Sequence, residues 1–238
     1  MPKFYIGTSG WSYNDWRGRF YPEDLPAKQW LKHYIGHFKT VEINNTFYHL
    51  PLLNTVINWY KIAPPDFIFA VKGSRYITHI KRLKDCRAPL KKFFALIKHF
   101  RGKLGPILWQ LPPAMGKDET RLRRFIKLLP KRYQHAFEFR NQEWYTEEIY
   151  KILKDNDCAL VIFDMPGRHT PEVLTADWAY LRFHGATSLY GTKYSNIYLK
   201  KWRDKMAKWR KLKYIYIYFN NDTKAAAIEN ASYLKKLY

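Results

Sequence analysis

Tyr180-Leu181-Arg182-Phe183-His184 is a run in which apolar and polar side chains alternate. Because successive residues of a β-strand point to opposite faces of the sheet, Arg182 and His184 share one face, and Leu181 and Phe183 share the other. The run therefore predicts a strand that packs an apolar face against other elements and carries polar groups towards its C-terminal end.

Seven further strand candidates of similar composition lie along the chain. They are Phe4–Gly7, Thr40–Asn44, Phe67–Lys72, Pro106–Leu111, Ala136–Arg140, Ala159–Asp164 and Tyr214–Asn220. Amphipathic stretches typical of helices separate most of them, namely Ala27–Phe38, Leu53–Ile62, Pro89–His99, Thr120–Leu129, Thr146–Asp155, Leu199–Leu212 and Lys224–Leu237. The connection after Asp164 is the exception, because it is short, contains proline and has only a weak helical pattern. Strands that alternate with helices predict βαβ units and a parallel sheet.

The number of strands and the chain length together predict a closed barrel. The 238 residues are close to the roughly 250 that a (β/α)₈ barrel typically needs, and no linker-like segment divides them. We therefore predict an α/β protein with a single TIM-type (β/α)₈ barrel domain over residues 1–238. An open doubly wound sheet is the alternative, but the first strand lacks the G-x-G-x-x-G motif that commonly follows it in such folds.

Polar side chains recur near the C-terminal ends of the strand candidates. In a TIM-type barrel these ends form the mouth, where active sites lie. Alternation places on one face Glu42, Asn44, Lys72, Gln110, Glu138, Arg140, Asp164, Arg182, His184 and Asn220. Because burying polar groups without a purpose is costly, we predict that this cluster is the functional site.

Three carboxylates and one histidine are the catalytic candidates within this cluster. Glu42, Glu138 and Asp164 could serve as general acids, general bases or metal ligands, and His184 could bind a metal ion or transfer protons. The alternative is a set of buried ion pairs with nearby lysine and arginine side chains. A divalent metal cofactor stays open, because no recognisable zinc motif is present.

The loop after the first strand offers further candidate ligand contacts. The backbone of Gly7-Thr8-Ser9-Gly10 predicts either an anion-binding nest that includes Ser9 or an ordinary turn. Trp11 and Tyr13 could stack on bases or sugar rings while Arg17 meets phosphate, or these aromatic residues could plug the barrel mouth. His79, in the loop after the third strand, is also expected near the mouth.

The charge balance points to an anionic partner. Lys+Arg 42 against Asp+Glu 20 gives a net charge of +22, which attracts nucleic acid or a phosphate-bearing small molecule. A generally basic surface is the alternative explanation. There is no signal-peptide pattern or long apolar run, and Cys86 and Cys158 form no disulfide framework. We therefore expect a cytoplasmic protein without a membrane segment.

Several motifs resemble those of the YecE-like family, which is also catalogued as domain of unknown function 72. They are Gly7–Tyr13 with Trp16, Gly18 and Phe20–Pro22; Val41–Tyr48; Ile77–His79; Gln110–Pro113; Glu138–Arg140 with Trp144; Arg182–Gly185; and Tyr218–Asp222. The motifs span essentially the whole chain. The resemblance implies a TIM-type barrel and implies no particular activity.

Three hypotheses of function follow from these residues. The first is a nucleic-acid-binding phosphodiester hydrolase, in which the basic groups hold phosphate and the carboxylates, with His184, activate water. The second is an enzyme acting on a sugar or sugar phosphate, with Trp11 as a stacking platform. The third is a non-catalytic scaffold that binds anions.

Overall fold

Eight parallel strands form the wall of a barrel in the computed structural model, which describes all 238 residues. The strands are β1 Lys3–Thr8, β2 Thr40–Ile43, β3 Ile68–Lys72, β4 Leu104–Gln110, β5 His135–Glu138, β6 Ala159–Met165, β8 Trp178–Phe183 and β9 Tyr214–Phe219, with the two-residue strand β7, Arg168–His169, paired antiparallel to β6. Their order is β1-β9-β8-β6-β5-β4-β3-β2. The eight predicted strands and the TIM-type barrel are confirmed.

The barrel closes between β1 and β2, where the strands approach without a full ladder. The amide of Gly10 donates to the carbonyl of Glu42 at 2.8 Å. The Tyr34 hydroxyl bridges the remaining gap, since it accepts from the Thr8 amide at 2.9 Å and donates to the Thr40 carbonyl at 3.0 Å. A Cβ on Gly7 would lie 2.3 Å from the Thr40 carbonyl oxygen, so glycine is required for this close approach.

Helices cover the outside of the barrel. They are α1 Trp30–His37, α2 Asn45–Tyr48, α3 Leu53–Ile62, α4 Arg87–Ile97, α5 Glu119–Ile126, α6 Glu147–Lys154, α7 Asn196–Met206 and α8 Ala226–Lys235. All seven predicted helices are present; α3 has the predicted bounds and the bounds of the other six are shifted. The helix α7 begins before the predicted Leu199 because the Ser195 hydroxyl caps it, accepting from the Tyr198 amide at 3.2 Å. The one-turn α2 was not predicted. As expected, no helix follows β6, where β7 forms a short hairpin instead. None of the helices combines the length and apolar character needed to cross a membrane.

Two apolar cores lie on opposite sides of the strand wall. The larger one packs the outward faces of the strands against the helices, and the smaller one fills the lumen. Tyrosines dominate the lumen, where the rings of Tyr5 and Tyr216 stack at 5.2 Å. Val161 and Phe163 of β6 also face the lumen, whereas Ile162 faces the helices. The lumen below its mouth therefore contains apolar side chains and tyrosines, and its charged groups lie at the C-terminal strand ends.

Candidate functional site

Arg182 lies at the centre of a buried ion network at the barrel mouth. Its Nη2 donates to Glu42 Oε1 at 2.7 Å and its Nη1 donates to Glu138 Oε2 at 2.8 Å. These three side chains occupy lumenal positions of β8, β2 and β5, and at most 1% of each is exposed. The predicted convergence of these strand ends is therefore a direct consequence of barrel closure.

The remaining carboxylate oxygens of this network also have donors. Glu42 Oε1 accepts from the Ser9 hydroxyl at 2.7 Å, and Glu42 Oε2 accepts from the Tyr180 hydroxyl at 2.7 Å. Glu138 Oε1 accepts from Arg140 Nε at 2.5 Å. Burial alone would raise the pKa of Glu138, but Arg140 and Arg182 outweigh burial and hold that pKa well below its ordinary value. Both carboxylates are thus hydrogen-bonded to arginine guanidinium groups.

His184 extends the network to β9. Arg140 Nη2 lies 3.2 Å from His184 Nε2, and His184 Nδ1 lies 3.0 Å from the Asn220 side-chain amide. Since a guanidinium only donates, Nε2 accepts and the neutral imidazole carries its proton on Nδ1, which donates to Asn220 when the side-chain amide turns its oxygen, rather than its nitrogen, towards the ring. Burial, with the nearby Arg182, lowers the pKa of His184 well below its ordinary value. His184 is therefore a neutral histidine with both ring nitrogens engaged.

Lys72 has no such partner. It ends β3 with 9% of the residue exposed, and its Nζ lies 4.2 Å from the centroid of the Phe47 ring. Burial, together with Arg182, lowers the pKa of Lys72 from 10.5 to about 7, although Glu138 and Glu42 oppose the shift. His79 packs edge-on against the same Phe47 ring at 4.9 Å, and burial and Lys72 lower its pKa to about 4.

Two buried polar atoms at the mouth lack a hydrogen-bond partner. These are Asn44 Oδ1, directly after β2, and Arg182 Nε. Gln110 ends β4 in register with Glu138, so it belongs to the same rim and is half-buried. The mouth thus combines an ion network in which every carboxylate oxygen has a donor with polar atoms that have no partner within the chain.

Asp164 does not join this cluster, and the prediction that it faces the lumen is wrong. It pairs in register with Phe183, on the helix-facing side of the sheet. There its Oδ1 accepts from the Tyr194 hydroxyl at 3.0 Å and its Oδ2 accepts from the Tyr198 hydroxyl. The error arose because Ile162 and Phe163 are both apolar, so alternation could not fix which face of β6 turns inward.

The loop after β1 does not form the anion nest that its glycines suggested. The Ser9 amide donates to the Phe219 carbonyl at 2.8 Å, so this backbone joins the barrel wall. Trp11 packs edge-on against Trp59 at 5.1 Å, and the Tyr13 hydroxyl donates to the Ser9 carbonyl. A cavity of about 440 Å³ lies beside Trp11, Tyr13, Asn44, Tyr48 and Trp59. Arg17 is exposed and its guanidinium lies over the Trp30 ring, away from the lumenal cluster.

A second cavity adjoins Arg140 on the other side of the mouth. It measures about 300 Å³ and its lining includes Arg140, Tyr145, Phe163, Arg168 and His169. Arg168 and His169 were not among the predicted site residues, because a two-residue strand has no detectable periodicity. The basic turn directly after the end of β6 is the sequence signal that could have indicated these two residues.

The structure assigns no ligand set to the divalent metal that the sequence left open. No group of three or more His, Cys, Asp or Glu side chains is arranged to hold a metal ion. The carboxylates that were candidate ligands are engaged by arginine and hydroxyl donors instead.

Fold and site together define a TIM-type barrel whose lumen ends in a buried Glu–Arg–Glu network beneath a basic mouth. A family model described as "Protein of unknown function DUF72" matches residues 5–238. The chain therefore belongs to the DUF72, or YecE-like, family.

Curated relatives and solved structures agree with this assignment. The chain is 25% identical to the UPF0759 protein YecE of Escherichia coli strain K12, covering 94% of this chain and 89% of that protein. It is 24% identical to the UPF0759 protein YunF of Bacillus subtilis, over 98% and 94% of the two chains. A DUF72 family crystal structure from Thermotoga maritima superposes with a TM-score of 0.88 at 33% identity, over 99% of this chain and 98% of that one. These relatives support the family and the fold, and none of their names states an activity.

Proposed function

We propose that the barrel mouth binds a small phosphate-bearing ligand, held by arginine side chains beside β5 and β7. The observation that carries the proposal is the cavity of about 300 Å³ that Arg140 and Arg168 both line, with no carboxylate among its lining residues. Guanidinium groups match the geometry of phosphate and form paired, charge-assisted hydrogen bonds with it.

The charge balance of the mouth favours an anion. Arg140 and Arg182 balance the two carboxylates of the network, and Lys72 and the exposed Arg168 add two basic groups that have no carboxylate partner in the chain. A bound anion would supply the partner that these basic groups lack.

The engaged carboxylates favour binding over hydrolysis by Glu42 or Glu138. Every oxygen of both side chains already accepts a hydrogen bond from within the chain. Because Arg140 and Arg182 hold the pKa of Glu138 well below its ordinary value, this carboxylate is a weak base for activating water. The phosphodiester hydrolase hypothesis therefore gains no support from this geometry, and ligand binding is the function that we propose.

Calorimetric titration with inorganic phosphate and with glycerol phosphate tests the proposal. Because a hydrogen bond to a charged group contributes about 1.5–3 kcal/mol, Arg168→Ala should weaken binding by about ten-fold or more. Arg210→Ala is the matched control, since Arg210 is exposed and precedes β9 at the opposite end of the barrel. Absence of binding by the wild type, or equal affinities of both variants, would refute the proposal.

Nucleic-acid binding is a second candidate, favoured by a groove on the outer surface between α4 and α5. Two adjoining cavities of about 530 and 930 Å³ share Arg87, Lys127 and Leu128. Their lining contains eight basic residues and two acidic ones: Lys84, Arg87, Lys91, Lys98, Arg121, Arg124, Lys127 and Arg132, against Asp85 and Asp118. A basic groove of this kind can follow a phosphate backbone.

The salt dependence of binding to duplex DNA tests this second candidate. Each neutralised phosphate contributes about −0.9 to the slope of log K against log salt. The double variant Lys91→Glu with Lys127→Glu should flatten the slope by about two such units. Lys200→Glu with Lys201→Glu, on the exposed face of α7, changes the net charge equally and should leave the slope close to wild type. Equal slopes for both double variants would exclude the groove.

A further inference from the structure

Lys72 carries an amine that no side chain of the barrel mouth neutralises. The two carboxylates within its electrostatic reach, Glu42 and Glu138, are bound by Arg182 and Arg140 instead. The nearest described contact of Nζ is the face of the Phe47 ring at 4.2 Å. A buried amine beside an aromatic ring and two guanidinium groups is poorly solvated as a cation.

The surroundings of Lys72 resemble an unfilled reaction site. Asn44 Oδ1 and Arg182 Nε, on the neighbouring strand end and across the lumen, are buried without partners. Burial, together with Arg182, lowers the pKa of Lys72 to about 7, which favours the neutral amine far more than in an exposed lysine. By contrast, hydrogen bonds to neighbouring side chains raise the pKa values of Lys3 and Lys213.

We infer that Lys72 is a nucleophile that condenses with a carbonyl group of the ligand to form an imine. This inference rests on the proposed function for the phosphate of the ligand, and it adds the substrate class, a phosphate-bearing aldehyde or ketone. A neutral lysine amine in a desolvated pocket is the established requirement for such chemistry in enzymes.

The step balances without an oxidant or a reductant. The Nζ lone pair attacks the carbonyl carbon, and the electron pair of the broken C=O π bond moves to oxygen. A proton passes from nitrogen to that oxygen, which gives a carbinolamine. Water then leaves as the C=N bond forms, so amine plus carbonyl yields imine plus water, and hydrolysis reverses the step.

Borohydride trapping tests the inference, with dihydroxyacetone phosphate as the probe. Reduction would fix the imine as a secondary amine, and the chain would gain the mass of the probe less one oxygen atom. We expect one label per chain, located at Lys72 by peptide mass spectrometry, with a rate that rises through pH 7. Lys72→Arg and Lys72→Met should both lose this label while keeping a cooperative melt. Labels scattered over exposed lysines with Lys72 unmodified would overturn the inference.

Two further probes separate this inference from the proposed function. Glycerol phosphate keeps the phosphate without a carbonyl group, and dihydroxyacetone keeps the carbonyl group without a phosphate. If glycerol phosphate binds but dihydroxyacetone phosphate leaves Lys72 unlabelled, the imine is refuted and phosphate binding stands. If both carbonyl probes label Lys72 equally and glycerol phosphate does not bind, the imine stands and the phosphate site is refuted.

Discussion

Two neighbouring parts of the barrel mouth have opposite hydrogen-bonding states. The Arg182 network, formed by Arg182, Glu42, Glu138 and Arg140, gives every carboxylate oxygen a donor from the chain and leaves one buried atom, Arg182 Nε, without a partner. The Lys72 edge, formed by Lys72, Asn44, Phe47 and His79, holds an amine that contacts only the Phe47 ring and a buried amide oxygen without a partner. Both parts come from strand ends of the same barrel, so fold alone does not explain the difference.

The difference separates a structural role from a ligand-binding role. Saturated buried charges hold the strands together, and removing one partner leaves the other uncompensated. Unsaturated buried groups cost stability in the free protein, and that cost is relieved when a ligand supplies the missing partner. We therefore interpret the Arg182 network as structural, and we propose the Arg140 cavity and the Lys72 edge as the places where a ligand binds and reacts.

The largest expected effect follows from breaking the Arg182 network. Arg182→Met leaves the buried Glu42 without a cationic partner and leaves Glu138 with Arg140 alone, so the free energy of unfolding should fall by about 3–5 kcal/mol. Urea unfolding monitored by tryptophan fluorescence measures this loss. Adding Glu42→Gln to the same chain should restore part of it, because the unpaired charge is removed while Glu138 keeps Arg140. If the free energy of unfolding of Arg182→Met lies within about 1 kcal/mol of the wild-type value, the network does not stabilise the barrel.

Glu138→Gln should have the next largest effect, a loss of about 3 kcal/mol, because Arg140 then has no carboxylate partner and Arg182 keeps only Glu42. The folded-state pKa of Glu138 is depressed, so its stabilisation is present above the unfolded pKa and is lost as pH falls towards the folded one. The variant should therefore lose less stability on acidification than the wild type. Phosphate affinity should be preserved. A normal melt combined with loss of a measured turnover would instead identify Glu138 as catalytic.

Lys72→Met should act in the opposite direction and stabilise the protein. Since the pKa of Lys72 is lower in the folded than in the unfolded chain, the unfolded chain binds more protons between about pH 7 and 10.5, and wild-type stability rises across that window. At about 1.4 kcal/mol for each pH unit between 7 and 10.5, the gain of the variant should be at most about 5 kcal/mol at pH 6, and it should vanish above pH 10.5. Thermal melts of both proteins across this pH range measure it. A destabilised variant at pH 6 would mean that Lys72 has a partner in the free protein.

Asp164→Asn should have the smallest effect and sharpens the boundary of the mouth. The substitution weakens the hydrogen bonds from Tyr194 and Tyr198, so a loss of about 1 kcal/mol is expected. Phosphate affinity should not change, because this side chain faces the helices. Calorimetry on the variant decides the point, since loss of phosphate binding would contradict the assignment of Asp164 to the outer face.

The sequence predicted the barrel and the core of the network because alternation was unambiguous where it mattered. Glu42, Glu138 and Arg182 each stand between apolar neighbours, so their shared face follows from strand geometry alone. The face of Asp164 was predicted wrongly because two consecutive apolar residues precede it. The same alternation could have placed Tyr180 on the lumenal face, since it lies two residues before Arg182.

The state of Lys72 was beyond sequence reasoning. Whether a strand-end lysine is paired depends on which carboxylates the neighbouring arginines take, and those contacts join strands that are far apart in the chain. The cavity beside Arg168 depends on a two-residue hairpin that has no sequence period. Pairing across a barrel is set by three-dimensional closure, and composition and periodicity carry no information about it.

Anomalous diffraction from crystals soaked in tungstate, a heavy analogue of phosphate, tests the central claim most directly. We predict a tungsten peak at the barrel mouth with oxygens within hydrogen-bond distance of Arg140 and Arg168, and no such peak in crystals of Arg168→Ala. Tungsten peaks confined to the groove between α4 and α5, with an empty mouth, would contradict it.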